Sequence, residues 1–362
     1  MNTRRHKKQS GIALIIVLIV VVVLGILAGG FAYSMKVETT LARHATFSTD
    51  LDWAGRSGVE VAKWVLSQSS TGPAGQFDSL KQKWAGGPGE TNDILAEVDL
   101  KNYQLTKGTE IIATLSIDIK DMDRKFNINV ADEIILKQAL TLIGVDASLG
   151  TTVANSILDW RDPDGNARNN GAESEFYEGL TPPYYAKDGP IDDLSELLLI
   201  KGVTPAMYWG SSGVGMPAVL NRPNPAQKSQ FDEPTYAVGL SELFTPLSSR
   251  QMNINTAGAT ALQIFPDIDS NIAQAIITAR SGPDGADGTE DDTPFRSPQE
   301  IGRVPGLSNP LAVQALTRYF TVRSLVFEAH ISIDMRGTKR EYIALLRRNG
   351  PKDIQTLNLY WK

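Results

Sequence analysis

Two stretches of this chain concentrate oxygen-bearing side chains densely enough to hold a metal ion. The first runs Asp159-Trp160-Arg161-Asp162-Pro163-Asp164-Gly165-Asn166 and continues to Glu173 and Glu175; the second is Asp284-Gly285-Ala286-Asp287-Gly288-Thr289-Glu290-Asp291-Asp292. Carboxylates and amides in a Gly/Asn-rich turn are hard ligands on flexible backbone, which suits calcium rather than zinc or copper. From Asp162, the residues at the first, third, fifth and twelfth places are Asp162, Asp164, Asn166 and Glu173, the acidic spacing of an EF-hand. The sixth place holds Ala167 where that motif needs glycine, so the loop is not an EF-hand. The competing reading is a pair of solvated turns. Two equivalent acidic loops in a chain without cysteine favour metal, with Asp159, Asp162, Asp164, Asn166, Glu173, Glu175, Asp284, Asp287, Glu290, Asp291 and Asp292 as ligand candidates for one or two calcium ions.

Catalysis finds less support. Asp159 with Asp162, or Glu173 with Glu175, could form a glycosidase-type carboxylate pair, yet any acidic loop yields such pairs and no apolar cleft accompanies them. The only imidazoles belong to His6, His44 and His330, and there is no cysteine. A zinc hydrolase or a histidine-based triad is therefore hard to assemble, and neither a phosphate-binding glycine loop nor a nucleophile elbow is present. We expect a non-enzyme. Acidic residues outnumber basic ones 41 to 35, which speaks against nucleic acid as a partner.

The loops belong to a duplication. Phe126-Asn127-Ile128-Asn129-Val130-Ala131 recurs as Met252-Asn253-Ile254-Asn255-Thr256-Ala257. Each copy continues into an apolar helix ending at Arg161 or Arg280, a Pro-Asp-Gly loop, then Phe176 or Phe295. Leu194-Ser195-Glu196-Leu197 before Gly202-Val203 corresponds to Pro298-Gln299-Glu300-Ile301 before Gly306-Leu307, so one helical module is used twice. The second copy resembles the helix-hairpin-helix modules of outward-facing, membrane-anchored DNA receptors of competence systems. Asp267 and Asp269 stand where that hairpin expects glycines, and carboxylates repel phosphate. Trp160, Phe176, Tyr177, Tyr184 and Tyr185 are expected as core and lid residues, since no basic patch accompanies them.

Around the repeats lie different elements. From Ile12 to Tyr33 no side chain is charged, and about 33 Å of helix is enough to span a bilayer core. Apolar residues then continue at helical spacing through Met35, Val37, Leu41, Phe47, Leu51, Trp53, Val61, Trp64 and Val65, with no proline before Pro73. Residues 109–120 alternate as a half-buried strand, and Thr321 to Met335 with Lys339 to Arg348 flank an Arg336-Gly337-Thr338 turn as a hairpin. A long helix on an antiparallel sheet, split by a large, mostly helical insert, is an α+β, type IV pilin-like layout.

The N-terminus agrees. The basic leader MNTRRHKKQSG ends in Gly11 before the apolar run, so cleavage there would keep the hydrophobic segment on the mature chain. This resembles the prepilin leader of type IV pilins and type II secretion pseudopilins; a plain signal anchor is the alternative. Arg4, Arg5, Lys7 and Lys8 hold the leader in the cytoplasm and send the bulk of the chain outward. The fifth residue from Ile12 is Ile16, where most pilins carry Glu. An unpaired charge in the bilayer is costly, so a subunit with no neighbour ahead of it does better without one. Leader, length and insert together resemble the type II secretion minor pseudopilin K family. That resemblance implies cleavage after Gly11 by prepilin peptidase, a methylated Ile12, an inner-membrane anchor with a periplasmic body, calcium in the insert, and a place at the tip of the pseudopilus during export of folded proteins. Its implied partners are I- and J-type minor pseudopilins, secreted substrates and the outer-membrane secretin, with Phe47, Leu51 and Trp53 packing on neighbouring pseudopilins. The expected domains are a leader (1–11), a membrane half-helix (12–33), pilin-like parts (34–125 and 319–362) and an insert (126–318) with repeats at 126–210 and 252–318.

Overall fold

The structure, a computed structural model, describes residues 10–70, 73–89, 94–210, 236–307 and 309–362. Two units are defined, Met1–Ser57 and Gly58–Lys362, and leader residues 1–9 lie outside the described residues. Helix α1 runs from Ser10 to Ser69 without a break, as a proline-free stretch allows. In the first unit its apolar side chains from Leu14 through Phe31 are all exposed. Of the described helices it alone is long and apolar enough to cross a membrane.

In the second unit the end of α1 is amphipathic. Val59, Ala62, Val65 and Leu66 are buried at helical spacing. Gly58 permits close contact with the sheet, since a Cβ there would stand 2.5 Å from Ile331 Cγ2. The sheet comprises β1 (Tyr103–Lys107), β2 (Glu110–Asp121), β7 (Val326–Met335), β8 (Thr338–Gly350) and β9 (Asp353–Trp361), paired in that order. Every pairing is antiparallel. Ala113, Leu115, Ile117 and Ile119 of β2 face the core as alternation predicts, whereas Ile111 is exposed. The β7–β8 turn consists of Arg336 and Gly337 alone, with φ of 52° and 81°, the left-handed pair that a two-residue hairpin requires.

β2 pairs directly with β7, from Thr114↔Asp334 to Asp121↔Phe327. The intervening residues therefore form an insert bulging from one end of the sheet. It contains β3 (Phe126–Asn127), α2 (Glu133–Ile143), α3 (Ala147–Arg161), α4 (Ser174–Glu178), α5 (Pro205–Trp209), α6 (Leu240–Leu243), β4 (Phe244–Thr245), β5 (Met252–Asn253), α7 (Ala259–Leu262), α8 (Ser270–Arg280), α9 (Pro310–Thr317) and β6 (Phe320–Thr321). One continuous apolar core joins both copies, from Phe126 and Trp160 to Phe265, Phe295 and Phe320. β3 pairs in parallel with β4, and β5 with β6, so the first copy closes at Thr245 rather than near residue 210.

Candidate functional site

The two copies share the same asparagine clamp and arginine anchor, which fix where each acidic loop sits. Asn127 and Asn253 each accept the backbone N–H of the asparagine two residues on, both at 2.9 Å. Each also reaches a closing segment, Asn127 donating to Ser248 O at 2.6 Å and Asn253 to Ser324 Oγ at 2.7 Å. Asn129 bonds both backbone groups of Ile191, as Asn255 does those of Phe295. The true counterpart of Phe295 is thus Ile191, not Phe176. Sequence comparison matched two phenylalanines, whereas the asparagine clamp selects a backbone position whatever its side chain. Arg161 donates to the carbonyls of Ile128 and Ala131, and Arg280 to those of Ile254 and Ala257.

In the first loop Asp159 is the organising group. Its side chain has no exposed surface, receives the backbone N–H of Ala172 at 2.9 Å, and pairs with Arg168 Nη1 at 2.7 Å. Arg168 also bridges to Asp162, and these bonds hold its guanidinium above the usual arginine range. Gly171 makes this approach possible, because a Cβ there would stand 1.8 Å from Asp159 Oδ2. In this loop and on the adjoining α3, three buried side-chain oxygens have no hydrogen-bond donor: Asp162 Oδ1, Glu173 Oε1 and Asn155 Oδ1. Burial, then the charges of Asp159, Asp162, Asp188 and Asp164, push the Glu173 carboxyl up to about 7. Asp164 caps the turn by accepting Asn166 N–H at 2.9 Å, and Glu175 is exposed.

The second loop is satisfied by its own groups. Arg280 grips Asp287 with Nε at 2.9 Å and Nη2 at 2.6 Å. Asp291 accepts Asp284 N–H and Thr289 Oγ1–H, while Asp292 accepts Gly288 N–H. Asp284 is exposed and accepts Ala286 N–H; Glu290 is exposed. Among the described residues no three or more His, Asp or Glu side chains are gathered as an ion site. In the first loop the reason is visible, since the Arg168 cation occupies the space between Asp159 and Asp162.

The hairpins explain the two aspartates that replace glycine. Gly144 after α2 has a φ of 98° and Asp267 after α7 one of 68°, while Asp146 and Asp269 cap α3 and α8. Aspartate tolerates the left-handed region and caps helices well, so both positions serve chain geometry. Trp160 and Tyr177 are core residues, whereas Phe176 and Tyr185 are exposed.

On α1, Gly11 and Ile12 fall in the first turn and Ile16 is exposed on the apolar stretch. Trp53 is 66% exposed and Phe47 half-buried, but Leu51 is only 1% exposed. Ala54 and Val59 are buried as well. Apolar spacing alone did not distinguish the inward stripe from the outward one.

A buried polar joint escaped sequence reading altogether. Where the chain leaves β2 and returns to β7, Asp78, Asp121, Asp123 and Arg348 are all nearly fully buried. Asp78 accepts Arg348 Nη1 at 2.8 and 2.7 Å and Ser324 N–H at 2.8 Å. Asp121 accepts Ser324 Oγ–H at 2.6 Å, Thr256 Oγ1–H and, at 2.8 Å, Asp123 N–H. Asp123 receives Leu325 N–H at 2.6 Å and Ser249 N–H. Burial, then the charge of Asp123, push the Asp121 carboxyl up to about 7 against the Ser324 and Thr256 bonds; burial raises Asp123 too. The available signal was period two, because Ile117, Ile119 and Asp121 continue one strand face into the core.

A long N-terminal helix, an antiparallel sheet against its last turns and a helical insert splitting that sheet define a pilin-like subunit. Residues 113–209 match the family model described as type II secretion system (T2SS), protein K. The chain resembles the putative type II secretion system protein K of Escherichia coli strain K12, 24% identical over 56% of this chain and 61% of that protein. It also resembles the protein K of Aeromonas hydrophila, 25% identical over the same shares. For the protein K of Pseudomonas aeruginosa the identity is 24% over 89% of this chain and 85% of that protein. The chain thus spans 61% of the length of the first two relatives. In fold it is similar to a chain of the GspK-GspI-GspJ complex of enterotoxigenic Escherichia coli, with a TM-score of 0.62, 18% identity, and coverage of 89% of this chain and 99% of that one. The resemblance to the type II secretion minor pseudopilin K family thus holds, carried by residues 113–209, by the relatives and by the fold.

Proposed function

We propose that this protein caps the tip of a type II secretion pseudopilus and supports export of folded proteins across the outer membrane. It is a structural subunit, not an enzyme. Prepilin peptidase cuts after Gly11, Ile12 becomes the methylated N-terminus, and α1 anchors the body to the inner membrane with its bulk in the periplasm. The observation that carries this reading is Ile16, an exposed apolar residue at the fifth place counted from Ile12 in the uncharged stretch from Ile12 to Tyr33. Without Glu there, the subunit starts a filament but does not follow a neighbour. The related chain belongs to a solved GspK-GspI-GspJ complex, which supports I- and J-type pseudopilins as partners here, met through Trp53 and Phe47. Secreted substrates and the secretin are proposed to meet the insert. Mass spectrometry of the N-terminus tests the reading: a chain starting at methylated Ile12 is expected, and residues 1–11 retained beside active peptidase would refute it.

We further propose that the first acidic loop holds calcium. Three buried oxygens without donors fit a hard cation, with Asp159, Asp162 and Glu173 holding it once Arg168, itself 40% exposed, turns outward. The ion would neutralise the carboxylates and cross-link the loop. The second loop needs no ion for its shape, because Arg280 already balances Asp287. Calorimetric titration should show binding that Glu173→Gln weakens and Asp284→Asn leaves unchanged; an isotherm without heat refutes the site.

A further inference from the structure

The duplication supplies its own internal control. Between the arginine that recurs in both copies and the asparagine-clamped residue, the first copy spends residues 162–190 and the second only 281–294. Both copies share a core and the same clamps. The longer connection of the first copy is therefore not needed to close the module, and insertions in repeats commonly build a binding face.

That extra length builds α4 and the Pro182-Pro183-Tyr184-Tyr185 turn, whose outer surface is apolar. Phe176, Leu180 and Tyr185 are exposed, Tyr185 by 70%, beside Leu198 and Leu199, the latter by 48%. The surface is held rigidly from below. Tyr177 is fully buried and stacks on Tyr184, whose hydroxyl donates to Leu199 O at 2.7 Å, joining the two segments. Lys201 donates to Gly171 O at 2.9 Å while lying 4.7 Å from the Phe176 ring centre. Ordered, exposed aromatic side chains are costly in water and inexpensive to bind, since little entropy remains to be lost.

The rim sets the sign of the partner. Residues 162–201 carry nine carboxylates against three cationic side chains. Glu175, Glu178, Asp188, Asp192 and Asp193 are exposed, whereas Lys187 is already paired with Asp192 and Glu196.

We propose that this face, centred on Phe176, Leu180, Tyr185 and Leu199, docks a basic amphipathic protein segment, with apolar side chains on the aromatic surface and Lys or Arg against the acidic rim. Docking of this kind does not depend on the position of the subunit in a filament. The test uses the full chain in phosphatidylcholine nanodiscs and a fluorescent helical peptide with leucines on one face flanked by lysines. Anisotropy should report salt-sensitive binding above that to empty nanodiscs. Tyr185→Ala with Leu180→Ala, and separately Glu175→Gln with Glu178→Gln, should each weaken it roughly ten-fold, with unchanged circular dichroism. A peptide carrying Glu for Lys should not bind. Absence of binding, equal binding by the patch variant, or a wild-type dimer that dissolves in the patch variant would overturn the proposal, the last by showing a second copy as occupant.

Discussion

Asp121 makes the joint between sheet and insert sensitive to pH in a calculable way. Its carboxyl titrates at about 7 in the folded chain, against 3.8 for the free group. Because the folded value is the higher one, folding takes up a proton between the two. The stabilisation is fully present below about 4 and is lost as pH rises through about 7. At 1.36 kcal/mol per pH unit, the loss between pH 5 and 8 is on the order of 3 kcal/mol. Asp118, Glu196 and Glu328 are shifted downward, so their contributions disappear only in acid, outside this window. His330 is shifted upward by its bonds to Glu328 and Glu341 and adds a slope of the same sign. The informative quantity is therefore the difference between wild type and Asp121→Asn, which keeps the shape but cannot ionise. Urea denaturation should find the two about equally stable below about pH 4, with the lead of the variant growing by on the order of 3 kcal/mol between pH 5 and pH 8. A gap that stays constant across pH would refute the assignment.

The remaining predictions concern packing and the repeat. Gly171→Ala should displace the Asp159 carboxylate and cost roughly 1–3 kcal/mol, read as a lower thermal midpoint. Arg280→Met removes two carbonyl bonds and leaves Asp287 without its partner, at a cost of about 3–5 kcal/mol by denaturant titration. Asn129→Ala and Asn255→Ala break the same clamp in each copy and should each cost about 1–3 kcal/mol, within about 1 kcal/mol of one another; a neutral member of the pair would show that the copies are not equivalent. Gly58→Val would press α1 off Ile331, with a loss of about 1–3 kcal/mol in the same assay.

Much of this molecule is local and hence legible in sequence. The unbroken α1 follows from a proline-free apolar run, the β7–β8 hairpin from Arg336-Gly337, and the repeat from Asn-Ile-Asn. Where a choice depended on distant residues, local pattern was insufficient. Leu51 and Trp53 are both apolar and two positions apart, yet one is buried and the other exposed. Phe176 matched Phe295 by type, while Asn129 selected Ile191 by backbone position. The closing strand Phe244–Thr245 is too short to announce itself by alternation and is defined only by its pairing with β3.

The acidic loops divide along the same line. Sequence by itself determined that two carboxylate-rich turns sit at equivalent places, that no cysteine is present, and that an uncharged stretch of helical length follows Gly11. Only the tertiary structure decided that Arg280 neutralises one loop while the other keeps buried oxygens without donors. It alone gathered Asp78, Asp121, Asp123 and Arg348 into one joint, with Asp78 and Arg348 paired across the chain. Composition and period are properties of neighbours along the chain. The charge balance of a buried group depends on what the fold brings beside it from elsewhere.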